Sequence, residues 1–125
     1  MCIRDSLLLS SDDPRAQQNA ADALRNLASN NQENQNAIRD AGAIIPLTNL
    51  LSSDDPRVQQ NAAGALRNLA SNNQENQNAI RDAGAIIPLT NLLSSNVPGA
   101  QQNAAAALRN LASNNQENPA ASHPT

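Results

Sequence analysis

Ser52–Leu93 reads SSDDPRVQQNAAGALRNLASNNQENQNAIRDAGAIIPLTNLL, and this stretch decides the fold because the chain contains it more than once. Residues 10–51 match it at 40 of 42 positions, differing only at Ala16/Val58 and Asp22/Gly64. Residues 94–118 match its first 25 positions with five differences, at 96, 97, 99, 100 and 106. Pro14, Pro56 and Pro98 therefore recur every 42 residues, as do Asn26, Asn68 and Asn110. A period of this length belongs to solenoids, whose units bury their apolar faces only against neighbours. Near-identity of this degree points to recent tandem duplication, consensus design or an error of sequence assembly.

One period holds three helical patterns. The longest starts at Asp55-Pro56, an N-cap followed by a proline at the first helical position, where a missing N–H costs little. Val58, Ala62, Ala65, Leu66 and Leu69 then form an apolar stripe at helical spacing, which should end near the polar Ser71-Asn72-Asn73. A short helix is expected over about Glu75–Ala83, with Ala79 and Ile80 inward and Gly84 as its left-handed stop. A third pattern runs over Ala85–Leu93 with Pro88 in its first turn, and Ile86, Ile87, Leu89, Leu92 and Leu93 are expected on its buried side.

Composition agrees and excludes several activities. The 125 residues include 23 Ala and 15 Leu, which favour helix over sheet. Primary amides fill 31 positions, 20 Asn and 11 Gln. All eight basic residues are Arg, so no lysine Schiff base can form. The net charge is −3 and there is no aromatic residue, so single-stranded nucleic acid finds neither a positive groove nor a stacking face. No apolar run is long enough to insert across a membrane. His123 is the only histidine, Cys2 the only cysteine, and the four glycines are isolated. No metal, triad or phosphate-loop site can be assembled from these, so neither a cofactor nor catalysis is expected. Asp12-Asp13 and Asp54-Asp55 precede helix starts, where capping explains them better than metal or acid–base roles.

Gly84-Ala85-Ile86-Ile87-Pro88-Leu89-Thr90-Asn91-Leu92-Leu93 and Ala63-Gly64-Ala65-Leu66-Arg67-Asn68-Leu69-Ala70 resemble the armadillo repeat. HEAT repeats, with two helices per unit and a proline-kinked first helix, fit the mid-period glycine less well. The resemblance covers about residues 7–118 and implies an all-α, right-handed α-solenoid of three-helix repeats with period 42. On this phasing 7–31 is a partial repeat (the end of a second helix, then a third helix), 32–73 and 74–115 are repeats, and 116–125 begins a truncated repeat and runs into a disordered tail. Residues 1–6 (MCIRDS) resemble the translation of a transposase mosaic end used in sequencing libraries and are set aside as a non-native scar.

The resemblance also implies a function. In armadillo proteins the third helices line a concave groove, and a recurrent Asn there clamps the backbone of an extended peptide. Matched by position, that Asn falls on Asn26, Asn68 and Asn110. A carboxamide suits the task because it offers an acceptor and two donors together. Asn19, Asn61 and Asn103 lie on the same helical face and either widen the ladder or form a solvated polar face, the second being the commoner explanation. The tryptophan that basic nuclear-import peptides require would stand at Asp22, Gly64 and Ala106, so cation–π recognition is not expected. Arg25, Arg67 and Arg109 either form a positive rail favouring an acidic peptide or pair with nearby acids such as Asp22.

The expected activity is thus binding of a protein or peptide partner, with weak end-to-end self-association and residence in the cytoplasm or nucleus by family. A passive spacer, or the receptor part of a larger ubiquitin ligase, are the alternatives.

Overall fold

The computed structural model describes residues 13–112. Seven helices follow one another among the described residues, with no strand: α1 Pro14–Ala28, α2 Gln32–Asp40, α3 Ile44–Leu50, α4 Pro56–Leu69, α5 Gln74–Asp82, α6 Ile86–Leu92 and α7 Pro98–Ala112. The expected scar at 1–6, the second-helix remnant at 7–10 and the tail at 116–125 lie outside the described residues.

The long helices begin as their sequences require. Asp13 and Asp55 cap α1 and α4, each accepting the N–H two residues on, from Arg15 at 3.0 Å and Arg57 at 2.9 Å. The Arg57 N–H lowers the Asp55 carboxyl below its usual range, outweighing partial burial, with the Arg57 side chain assisting. The short α2 and α5 start at Asn31 and Asn73, whose side chains accept the Asn34 and Asn76 N–H groups.

Both short helices end in the same hydrogen-bonded stop. Gly42 and Gly84 sit at φ +84°. The Gly84 N–H reaches the Arg81 carbonyl at 3.0 Å and the Ala85 N–H reaches that of Ile80 at 3.3 Å. This double bond pattern satisfies carbonyls the helix leaves over and turns the chain sharply into α6. A Cβ at Gly84 would meet nothing within 4 Å. Gly84→Ala therefore costs only backbone strain, about 1–2 kcal/mol. Denaturant titration should show that loss, and a smaller one for Gly84→Asn, since Asn tolerates the left-handed region better. Equal losses for the two would contradict this account.

Packing is repetitive. The most extensive contacts run between α1 and α4 and between α4 and α7, so the three long helices lie side by side as one layer. The α3 and α6 helices back onto the long helix that follows each, α4 and α7. Val58, Ala62, Ala65, Leu66 and Leu69 are all fully buried, and Ile80 nearly so, as their spacing predicts. Being flanked on both sides, α4 buries more than a stripe: Asn61, Ala63 and Gly64 are also buried, as is Ala70 at its C-cap.

The expected buried side of α6 needs correction. Leu89 and Leu92 are buried, but Ile86, Ile87 and Leu93 are exposed. The equivalents in α3 give the reason. Ile44 and Leu51 are 5% and 2% exposed, against 41% and 43% for Ile86 and Leu93. The residues are the same; α3 also packs against α5 of the following unit, whereas α6 stands at the end of the described array. Ile45 and Ile87 face solvent in both units, so position and not neighbourhood decides them.

Candidate binding surface on the long helices

The six predicted asparagines occupy two positions, repeated on α1, α4 and α7. The Asn68 Nδ2 donates to the Arg25 carbonyl at 2.9 Å, and the Asn110 Nδ2 to the Arg67 carbonyl at 3.0 Å. Seven residues further toward the N-terminus, Asn103 donates to the Gln60 carbonyl at 3.0 Å and Asn61 to that of Gln18 at 3.4 Å. Every bond runs from a long helix to the one before it. The acceptors at Arg25 and Arg67 are chemically apt. Ser29 and Ser71 turn their N–H groups to the Asn26 and Asn68 carbonyls instead, leaving the Arg25 and Arg67 carbonyls in the terminal turns for the side-chain amides.

Burial separates the two sets. Asn26 is exposed and Asn68 and Asn110 half-buried, whereas Asn61 and Asn103 are buried. Asn61 and Asn103 are therefore not the solvated polar face that their spacing suggested. Only Asn19, on the outermost long helix, is exposed.

The arginines beside the asparagines differ among themselves. Arg25 is ion-paired with Asp22 one turn earlier in the same helix. At the equivalent of Asp22 the next helices carry Gly64 and Ala106, so Arg67 and Arg109 have no ion pair among the described residues. Arg67 instead donates to the Asn103 Oδ1 at 2.9 Å and to the Asn68 Oδ1 at 3.2 Å, while Arg109 is exposed. Gly64 lies directly against Arg25. A Cβ there would lie 2.7 Å from the Arg25 Cδ, so position 64 faces the arginine of the preceding helix directly.

A second amide cluster, on the short helices, was missed by sequence reasoning. Asn76 is fully buried. Its Nδ2 donates to the Leu69 carbonyl at 2.8 Å and to the Gln35 carbonyl at 3.2 Å, and its Oδ1 accepts from the Arg39 Nη1 at 3.0 Å. Gln77 donates to the Ala70 carbonyl at 2.9 Å, and Asn73 to the Gln35 Oε1 at 3.1 Å and Asn36 Oδ1 at 2.9 Å. Arg39 also pairs with Glu75 at 3.1 Å. Asn34 and Gln35 do for Leu27 and Ala28 what Asn76 and Gln77 do for Leu69 and Ala70. Each short helix thus caps the carbonyl end of the long helix before it. The available signal was the seven-residue offset from these amides back to the end of each long helix.

A helical stop at a left-handed glycine, long helices in one layer and asparagines linking each to its predecessor define an armadillo-type repeat array. The family model for the armadillo/beta-catenin-like repeat matches residues 6–29, 31–71 and 73–113. The chain belongs to that family. Among solved structures it resembles an engineered protein determined by the Northeast Structural Genomics Consortium, with 44% identity and a TM-score of 0.85 over 90% of this chain and 46% of that one. It also resembles a designed armadillo repeat protein in complex with the peptide (KR)4, with 35% identity and a TM-score of 0.77 over 83% of this chain and 44% of that one. The armadillo-repeats-only protein of Plasmodium falciparum is 31% identical, with a TM-score of 0.70 over 75% of this chain and 40% of that one. The chain spans less than half the length of each of these. No curated protein matches it.

Proposed function

We propose that the layer of α1, α4 and α7 binds an extended peptide segment of a partner, with Asn26, Asn68 and Asn110 as successive clamps. One observation carries the reading: the same carboxamide recurs on three abutting helices, exposed or half-buried, and at Asn68 and Asn110 it is held in place by the helix before. Asn68 uses one amide hydrogen on the Arg25 carbonyl. That bond fixes its rotamer and leaves the second hydrogen and an oxygen lone pair for a peptide N–H and C=O. Asn61 and Asn103, buried in the seams, hold neighbouring long helices in register, and Asn19 extends the ladder at the exposed face of α1. The designed relative with (KR)4 supports peptide binding as the activity.

Charge favours an acidic peptide on the Arg67–Arg109 side of the layer, where no carboxylate among the described residues neutralises the guanidinium groups; Arg25 contributes less because Asp22 holds it. About six hydrogen bonds at ~1 kcal/mol net each do little more than offset an association cost on the order of 4–15 kcal/mol, so this array alone binds weakly, no tighter than about millimolar. Nuclear magnetic resonance titration should show an acidic extended peptide binding more tightly than a basic one, with the preference fading in high salt. Asn68→Ala should weaken binding by about tenfold, the equivalent of 1.4 kcal/mol.

A second reading is favoured by the same hydrogen bonds: the asparagines serve only to join helices, and the array is a spacer. A helical, folded Asn68→Ala protein that binds as well as the original would decide for the spacer.

A further inference from the structure

Arg67 joins two of the amides on the long-helix layer. Its Nη1 donates to the Asn103 Oδ1 at 2.9 Å on the following long helix, and its Nε to the Asn68 Oδ1 at 3.2 Å on its own. Asn68 is thereby held at both ends of its carboxamide, since its Nδ2 donates to the Arg25 carbonyl at 2.9 Å. Asn103 is held in the same way, with its Nδ2 on the Gln60 carbonyl at 3.0 Å. Arg25 has the equivalent place on α1, yet its guanidinium is paired with Asp22 and reaches neither Asn26 nor Asn61. The Asn61 oxygen therefore lacks an arginine, and the Asn61 Nδ2 makes the longer bond of its pair, 3.4 Å to the Gln18 carbonyl. The α4 helix covers that side of α1 as α7 covers that side of α4, so the difference does not come from a missing neighbour.

It comes from the residue three positions earlier, which is Asp22 before Arg25 and Gly64 before Arg67. A Cβ at position 64 would lie 2.7 Å from the Arg25 Cδ and 3.1 Å from the Asn103 Nδ2. Position 64 thus stands where α1, α4 and α7 meet, one turn before Arg67. A carboxylate there draws the guanidinium back along its own helix, as Asp22 does, because a charged acceptor outcompetes a neutral amide. With no side chain there, the guanidinium goes forward to the amides.

We infer, on the reading of Asn68 as a peptide clamp, that Arg67 is the positioning residue for that clamp, and that position 64 selects between this role and pairing within the helix. Arg67 fixes the Asn68 carboxamide before any peptide arrives, so the hydrogen and lone pair left for the peptide are already aimed. The planar guanidinium allows this because its nitrogens point to two acceptors at once, which the single nitrogen of a lysine does not reproduce. An acid at this position gives a slack clamp beside a neutralised arginine. A glycine gives a set clamp beside a cation.

Side-chain nitrogen-15 relaxation of the full chain without peptide is the first test. The Asn68 and Asn103 amides should be as rigid as the backbone, with order parameters of about 0.85, and the Asn61 amide more mobile. Gly64→Asp should loosen Asn68 and Asn103; Gly64→Asn, of equal size but uncharged, should not. Asp22→Ala should stiffen Asn61. Arg67→Lys, which leaves position 64 untouched and keeps the charge, should loosen Asn68 and Asn103 as well, and circular dichroism checks that each variant stays helical. The second test is nuclear magnetic resonance titration with a blocked Ser-Glu repeat peptide. Arg67→Lys should weaken binding about threefold, because one more side chain must be ordered, and should have no further effect in an Asn68→Ala background. Amides that loosen alike in Gly64→Asp and Gly64→Asn, or that stay rigid in Arg67→Lys, would overturn the inference. If Asn68→Ala weakens binding and Arg67→Lys does not, the clamp stands and the positioning role alone falls. If Asn68→Ala leaves binding unchanged, the clamp reading falls and the inference with it.

Discussion

Asn76→Ala is expected to lower the unfolding free energy by roughly 3 kcal/mol, from three hydrogen bonds of a buried amide at about 1 kcal/mol net each. The side chain is fully buried and holds the Leu69 carbonyl, the Gln35 carbonyl and Arg39 together. Water cannot replace it without opening the contact between α2 and α5. Asn34 is the internal control, because it is the same residue at the same repeat position and donates to Leu27 at 2.9 Å, but it is only half-buried. Asn34→Ala should cost about 1 kcal/mol. Urea denaturation of the two variants checks the pair through the shift in midpoint at constant slope. If both lose the same amount, the buried network contributes nothing special.

Leu66→Ala is expected to cost about 2–5 kcal/mol through lost transfer energy and the cavity left behind. Leu66 lies in α4, which is flanked by long helices on both sides, and no part of it reaches solvent. A domain of this size has a total stability of about 5–15 kcal/mol, so the substitution removes a large share of it. Leu24 and Leu108 hold the equivalent place on the outer helices and are half-buried. Leu24→Ala and Leu108→Ala should each cost about half as much, in proportion to area kept from water. Calorimetric unfolding of the three variants tests the ranking. A Leu66→Ala protein that melts with the other two would mean that α4 is not the centre of cooperativity.

Most of the fold was legible because its causes are local. Asp55-Pro56, Gly84 and the apolar stripe from Val58 to Leu69 each act within one helix or one turn, and each does what its chemistry dictates. Apart from Ile87, which faces solvent by its place on the helix as Ile45 does, what failed depends on neighbours. Ile86 and Leu93 have the sequence environment of Ile44 and Leu51 yet a different fate, and no local pattern can register which unit is the last. Asn61 and Asn103 looked like surface because an amide on a helix face usually is. They are buried because each faces the long helix before it, where Asn61 donates to the Gln18 carbonyl and Asn103 to that of Gln60. The amides at 73, 76 and 77 were read as a polar turn and a helix start. Their acceptors lie on other helices, at separations that spacing within one helix does not reveal.

The seams carry one consequence for how such a protein changes over generations. Their amide bonds join residues 43 apart, whichever pair of long helices is considered. Gain or loss of one whole 42-residue block by unequal recombination therefore rejoins the same donor to the same acceptor, with no mismatched junction to repair. Copy number is free to drift while the architecture holds, and the length of the array can be selected without inventing a new contact.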